Sequence, residues 1–302
     1  AVAPALRWGR NAASVATALC RATATSRSAT RGPAAQRWAR SIKVCSVSPS
    51  AAGRSEQGGW AGAARNAIDC AFWDLEAKRS GKRVADLIGM TPTPLTTAYS
   101  LSLDTPENMA AAATAAAARP LLKIKLGGEG DEERIAAVRA AAPDAKLIID
   151  ANEGWTPDNL IHNIETMARY NVALIEQPLP AGDDEILRSY GSPVPLCADE
   201  SCHGIASLAP LVGLYDAVNI KLDKTGGLTE ALATARAARD IGFDIMVGCM
   251  VGTSLGMAPA TLVAQPKDLV DLDGPLLLKE DRRPGITFQG SDMLPFSAEV
   301  WG

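Results

Sequence analysis

The chain has 302 residues, 5% aromatics and a net charge of -4, enough length to bury a core as one (β/α) barrel or as two smaller domains. The charge is uneven, because residues 1 to 60 hold nine Lys or Arg against the single acid Glu56, leaving +8 there and -12 in the remainder. No apolar run reaches the roughly 18 residues a membrane-spanning helix needs, the six cysteines form no CxxC pair and read as reduced thiols of a cytoplasmic protein rather than a metal-thiolate site, and no GxGxxG, GxxxxGK[ST] or N-x-[ST] pattern occurs.

Residues 1 to about 59 are rich in Ala, Ser and Arg and show no sustained period beyond one short candidate strand, "SIKVCSVS" at 41 to 48. Their composition resembles an organellar transit peptide, and it would equally arise from a disordered basic extension or an altered gene start. So little apolar surface predicts poor order. From Ala61 the texture changes: "ARNAIDCAFWDLEAKRSG" places Ile68, Ala71, Phe72 and Leu75 at helical spacing, with Gly81 suited to end the helix. Past Thr96 an alternation begins. Eight short apolar runs, at 96–102, 121–126, 146–151, 172–177, 194–199, 217–222, 243–248 and 268–273, read as strands. Helical segments fall between them near 106–118, 131–141, 157–169, 183–189, 205–211, 227–240 and 254–263. Such regular βα alternation predicts a TIM-type parallel barrel with its active site at the C-terminal strand ends; an open sheet with fewer strands is the alternative. The chain divides accordingly into a basic segment (1–60), helices (61–95), the barrel (96–280) and a C-terminal segment (281–302).

The second of these strands, "LLKIKL", carries two lysines. Side chains alternate along a strand, so Lys123 and Lys125 share one face while Leu122, Ile124 and Leu126 share the other. Two neighbouring ammonium groups, partly desolvated, should lower the pKa of at least one of them and create a base. A solvent-facing edge strand would explain the pair more simply, and the other strand ends decide between the two. Those ends carry Asp150 with Asn152 just beyond, Glu176, Asp199 with Glu200, Lys221, and Asp271 with Asp273. Asp150, Glu176 and Asp199 come from three adjacent staves and would form an all-oxygen site suited to Mg²⁺. Strands two and six lie half a circumference apart, so Lys125 and Lys221 should face each other across the mouth. A carboxylate-bearing substrate could lose its α-proton to one lysine, persist as a metal-stabilised enediolate and be reprotonated by the other.

The motifs "LLKIKLG", "IIDANEGW", "LIEQPLP", "CADESCH", "NIKLDKTGGLTEAL", "GCMVGTSLG" and "DLDGP", in this order, resemble the enolase superfamily in its muconate lactonizing subgroup, and most closely the dipeptide epimerases. The resemblance implies Asp150, Glu176 and Asp199 as Mg²⁺ ligands, Lys125 and Lys221 as the acid/base pair, and Lys123 as the partner that tunes Lys125, with Asn152 and Glu200 in support. It implies that Asp271 and Asp273 receive the free α-ammonium of a dipeptide of the Ala-Glu type. His162 and His203 do not match the His-Asp pair of mandelate racemase-like members. A cycloisomerase, an o-succinylbenzoate synthase or an N-acylamino acid racemase would use the same lysines and metal, and a barrel impaired by a missing lid is the non-catalytic alternative. That last reading arises because residues 1 to 60 show none of the family's N-terminal cap sheet or its Gly-Arg-Gly-Glu-like segment, so a truncated or aberrant cap is expected. The implied partner is a small dipeptide, with no nucleic acid and no membrane, and a homo-oligomer is left open.

Overall fold

A computed structural model describes residues 62–302. The basic segment 1–60, its candidate strand and its expected disorder lie outside the described residues. Helix α1 (Gly62–Ser80) and the single turn α2 (Val84–Leu87) open the described chain, dividing the helical run around Gly81. The short strand β1 (Leu95–Thr96) follows, and the barrel begins at β2 (Tyr99–Leu101). Then come α3 (Pro106–Ala115), β3 (Leu121–Lys125), α4 (Asp131–Ala141), β4 (Lys146–Asp150), α5 (Pro157–Arg169) and β5 (Val172–Glu176). A 3₁₀ turn (Glu185–Ser189) replaces the helix expected at 183–189, and β6 (Leu196–Ala198), α6 (Ile205–Leu211) and β7 (Ala217–Lys221) continue the alternation. The one-turn helix α7 (Leu222–Thr225), which the sequence pattern did not show, precedes α8 (Leu228–Ile241), β8 (Asp244–Gly248), α9 (Ser254–Thr261) and β9 (Leu269–Asp271).

Local chemistry explains the helix starts and stops. Alanine-rich stretches such as α3 have the highest intrinsic helix propensity. Thr105 accepts a hydrogen bond from the Asn108 amide and is followed by proline, as Thr156 is at the start of α5. Gly242 ends α8 at a φ of 103°, a backbone shape that costs glycine little.

Strands β2 to β9 are parallel and adjacent in sequence order. The Ala98 amide donates to the Val270 carbonyl at 2.7 Å and the Leu272 amide to Thr97 Oγ1 at 2.8 Å, which brings the last strand back against the first and nearly closes the barrel. A closed eight-strand barrel staggers by about one residue per strand, so inward side chains fall into layers of four from alternate strands. Applied to the observed register, this rule puts Leu121, Leu174, Ala217 and Leu269 in the lowest layer and Ala98, Ile148, Cys197 and Met246 in the next. Those eight side chains, with Ala173, form a separate apolar cluster that plugs the bottom of the barrel. The larger core lies outside the strands, where the helices cover Leu122, Ile124, Ile149, Ile175 and Val247.

After β9 a 3₁₀ turn (Gly274–Leu277) takes the place of an eighth helix. The chain then forms β10 (Phe288–Gln289) and β11 (Asp292–Met293), which make a small antiparallel sheet with β1 in the order β1-β11-β10. It ends against the first helices: Trp301 Nε1 donates to the Cys70 carbonyl at 3.0 Å and the Gly302 amide to Asp74 Oδ1 at 2.8 Å. On its other side α1 holds the segment after β7. Asn66 Nδ2 donates to Asp223 Oδ1 at 2.9 Å, and Asp69 Oδ2 accepts from the Thr229 amide at 3.0 Å, capping α8, whose own N-cap residue is glycine. Among the described residues no helix is long and apolar enough to cross a membrane.

Buried Asp131 ties together the loops that follow β3 and β4. It accepts from the amides of Gly127 and Gly128 at 3.2 and 2.7 Å and from Trp155 Nε1 at 2.9 Å. Asp131→Ala would strand those donors, and urea denaturation should show a loss of about 2–4 kcal/mol. A change under about 0.5 kcal/mol would mean that the loops close without it.

Candidate active site

Above the apolar plug the layers turn polar. The third consists of Lys123, Glu176, Asn219 and Asp271. Lys123 Nζ lies 2.7 Å from Asp271 Oδ2, 2.8 Å from Glu176 Oε2 and 3.0 Å from Asp150 Oδ2 in the layer above. Asn219 Nδ2 donates to Glu176 Oε1 at 2.6 Å. Ser100, Asp150, Asp199 and Gly248 make the fourth layer, where a Cβ on Gly248 would come within 2.6 Å of Asn219 Oδ1. Lys125, Lys221 and Asp273 stand at the top. The hydrogen-bonded row from Lys125 runs through Asp150, Glu176 and Cys197 to Ala217. Four strands of stagger then bring Lys221, four residues beyond Ala217, to the height of Lys125 on the opposite wall.

Each of these lysines holds a carboxylate. Lys125 Nζ is 2.6 Å from Asp150 Oδ2 and 2.8 Å from Asn152 Oδ1, while Lys221 Nζ is 2.6 Å from Asp199 Oδ2. Lys224, carried back over the site by α7, binds the other Asp199 oxygen and donates to the Asn219 carbonyl at 2.9 Å. Burial opposes ionisation of Asp199, but Lys224 and Lys221 outweigh it and hold its carboxyl below the usual range. Asp150 is lowered in the same way against burial by Lys123 and Lys125. Glu176 is pushed up to about 7, chiefly by burial, with Asp150 and Asp199 adding to the effect. Burial and then the Asp271 charge raise Asp273 to about 6.

Lys123 departs from its expected behaviour. Lys123 is no member of an exposed edge strand, being 2% exposed. Nor is it a cation depressed by its neighbour: burial works against its charge, but Asp271, Glu176 and Asp150 overcome that and raise its pKa well above the ordinary lysine value. With its ammonium committed to three carboxylates, Lys123 acts first as an internal counter-ion. Lys221 is likewise raised, burial being outweighed by Asp199 and Glu176.

Counting Glu200, six carboxyl groups and four lysines gather here, so with every carboxyl ionised the cluster lacks two positive charges. Three buried carboxylate oxygens, Glu176 Oε2, Glu200 Oε2 and Asp271 Oδ1, accept no hydrogen bond, although the first lies within ion-pair reach of Lys123. Hard oxygen donors, unsatisfied lone pairs and a charge deficit of two fit a divalent cation such as Mg²⁺. Among the described residues no three His, Cys, Asp or Glu side chains are gathered as a ready-made metal cage, since lysines reach between the carboxylates.

Asn152 links the two sides of this cluster, accepting from Lys125 and donating through Nδ2 toward Glu200 Oε1 at 3.4 Å. Asn152, Glu153 and Gln177, directly past Asp150 and Glu176, have φ values of 43°, 63° and 35°, each costing of order 1–3 kcal/mol and typical of functional loops. Asp271 and Asp273 lie near each other but are held differently, Asp271 by Lys123 and Asp273 by the Ser100 amide at 2.7 Å. His162 is on the exposed side of α5, 3.6 Å from Glu132, and His203 follows β6 in a loop. Sequence reading assigned no role to Asn219, Lys224 or Gln177. Asn219 could have been found from strand alternation, two residues before Lys221; Lys224 depended on an unforeseen helical turn.

A parallel barrel that gathers lysines and carboxylates at its C-terminal strand ends is laid out as an acid/base enzyme. The "Enolase C-terminal domain-like" family matches residues 108–271, and the "Mandelate racemase / muconate lactonizing enzyme, N-terminal domain" matches 42–89. The second match takes in residues 42–61, where no cap sheet was recognised in the sequence. The N-acetyl-D-glutamate racemase of a Pseudoalteromonas species is 51% identical over 80% of this chain and 77% of its own. The L-Ala-D/L-Glu epimerase of Escherichia coli K12 is 48% identical over 77% of this chain and 74% of its own. Among solved structures, an Agrobacterium tumefaciens enolase family member with homology to dipeptide epimerases, holding sodium and L-Ala-L-Glu, aligns at a TM-score of 0.79 and 56% identity over 84% of this chain and 79% of that one. The chain belongs to the enolase superfamily.

Removing the Lys123 ammonium would leave Asp150, Glu176 and Asp271 facing one another inside the barrel. Lys123→Met should therefore cost about 3–5 kcal/mol of unfolding free energy, read by urea denaturation or as failure to fold. Wild-type stability in that variant would refute the counter-ion role.

Proposed function

We propose that this chain is a Mg²⁺-dependent epimerase that inverts the α-carbon of the C-terminal residue of a dipeptide, of the Ala-Glu type, by proton transfer between Lys125 and Lys221. The observation that carries the reading is the placement of these two lysines at one height on opposite walls with Asp150, Glu176 and Asp199 between them. Inverting a carbon by a 1,1-proton transfer needs one group to remove the proton from one face and another to supply a proton to the other. A lysine in its neutral form takes up the α-proton as the C–H bond breaks; the opposite lysine, as ammonium, delivers a proton to the far face. In the reverse direction they exchange roles.

Asp150, Glu176 and Asp199 would hold the Mg²⁺, which when bound supplies positive charge beside the substrate carboxylate and makes the neighbouring α-proton acidic enough for a lysine. Lys123 and Lys224 keep their places as fixed counter-ions. The dipeptide's ammonium suits the last strand: Asp271 Oδ1 is buried without a donor, and Asp273 lies close by as a second acceptor. Sodium and L-Ala-L-Glu together in a relative that is 56% identical support both a cation and a free-amine substrate.

A second reading, an N-acylamino acid racemase, keeps the same lysines and metal. It is favoured by the racemase that is 51% identical. Asp271 is already partnered by Lys123 and Asp273 is raised to about 6, so an uncharged acyl group would strand less charge than two free carboxylates would.

Lys125→Ala and Lys221→Ala should each abolish epimerisation, while the surviving lysine still exchanges the α-proton of one stereoisomer in D₂O with Mg²⁺, followed by mass spectrometry. An epimerisation rate within about tenfold of wild type in either variant, about 1.4 kcal/mol of barrier, would refute the two-base assignment.

The substrate class shows in the pH profile. As pH rises through about 6, Asp273 ionises, and kcat/KM for L-Ala-L-Glu should climb with it and stay high while the substrate amine remains protonated. Asp273→Asn should remove the Asp273 part of that limb for L-Ala-L-Glu and leave the N-acetylglutamate profile unchanged. If wild type turns over N-acetylglutamate as well as L-Ala-L-Glu, the racemase reading replaces the dipeptide one.

A further inference from the structure

We infer that Gln177 is a positioning residue that sets Asp199 against Glu176, so that the two carboxylates meet a divalent cation as a preformed pair; the inference rests on the Mg²⁺ reading above. The β5–β6 ladder is short, pairing Ile175 with Leu196 and Glu176 with Cys197, and its last bond runs from the Gln177 amide to the Cys197 carbonyl at 2.9 Å. In a continued parallel ladder the Asp199 amide would next bond the Gln177 carbonyl. It does not. With φ at 35°, Gln177 turns that carbonyl toward β4, where it accepts from the Glu153 amide at 2.9 Å.

The side chain takes over the missing rung. Gln177 Oε1 accepts from the Asp199 amide at 2.9 Å and from the Ser201 amide at 3.2 Å. Nε2 shares its hydrogens among the Leu179 carbonyl at 2.9 Å, Ser201 Oγ at 2.9 Å and Tyr215 OH at 3.0 Å. Both hydroxyls pass their own hydrogens to Asp184 Oδ2, at 2.7 and 2.8 Å. The amide is fully buried, so none of these bonds is exchanged for water. Asp199 therefore lies one step past the end of its strand and is held to β5 by a side chain that is fixed at both ends. Glu176, the residue before Gln177 in the chain, shares that anchor.

Gln177→Met removes the amide bonds at nearly constant volume. With EDTA-stripped protein titrated calorimetrically with Mg²⁺, the variant should bind about tenfold or more weakly, while kcat at saturating Mg²⁺ stays within about threefold of wild type. A folded variant with unchanged Mg²⁺ affinity overturns the inference, as does loss of kcat at unchanged affinity. A purely structural role would lower the thermal midpoint of the metal-free protein and leave affinity alone. Should Gln177→Met fail to fold, Tyr215→Phe decides: it spares both amide contacts to Oε1 and loosens one anchor of Nε2, so weaker Mg²⁺ binding supports the inference and unchanged binding overturns it. If wild type itself shows no Mg²⁺ isotherm, the metal reading fails and this inference falls with it.

Discussion

The ammonium of Lys123, enclosed in the barrel within 3.0 Å of three carboxylates from β4, β5 and β9, is the contact on which the rest of the interior depends. An isolated charge of either sign would not remain ionised in such a place. Together the charges are mutually solvating, and the barrel can carry acids on adjacent staves directly above an apolar plug. The cost is geometric, because every partner must be at the right height. One residue of stagger per strand achieves that, putting Lys123, Glu176, Asn219 and Asp271 into one layer although up to 148 residues separate the bonded pairs.

Strand count and order were legible because the eight apolar runs are short, separated by alanine-rich segments and marked by charged ends. The acids and lysines at those ends were equally visible, since each sits where a run stops. What the sequence could not show was the vertical arrangement. Lys123 and Lys125 share a face, and proximity suggested mutual repulsion; in the fold they belong to different layers and Lys123 meets carboxylates that sequence spacing could not bring near it. Asp271 and Asp273 show the same effect, two residues apart at the end of β9 and just beyond it, yet held by different partners. Lys224 escaped notice because a four-residue helix leaves almost no periodic signal.

The two sides of the active site are built to different tolerances. On the side proposed to hold the cation, Glu176 and Asp199 are enclosed by Asn219, Lys221, Lys224 and the Gln177 network. On the β9 side, Asp273 rests on one backbone amide and the strand leads into a single 3₁₀ turn in place of a helix. On the proposed function, the chemistry shared by an epimerase and a racemase falls on the first side, and the choice between an ammonium and an acyl group falls on the second.

The partners of α1 come late in the chain. Asn66 waits for Asp223, 157 residues on; Asp69 waits for Thr229, 160 residues on; and the Cys70 carbonyl waits for Trp301, 231 residues on. At a translation rate of about 5–20 residues per second, the helix is made about 8 to 30 seconds before the first of these contacts can form. Throughout that interval the indole of Trp73 lacks the Thr229 hydroxyl to which its Nε1 donates at 2.9 Å in the finished fold. A helix whose partners lie so far downstream is made long before the barrel that it braces.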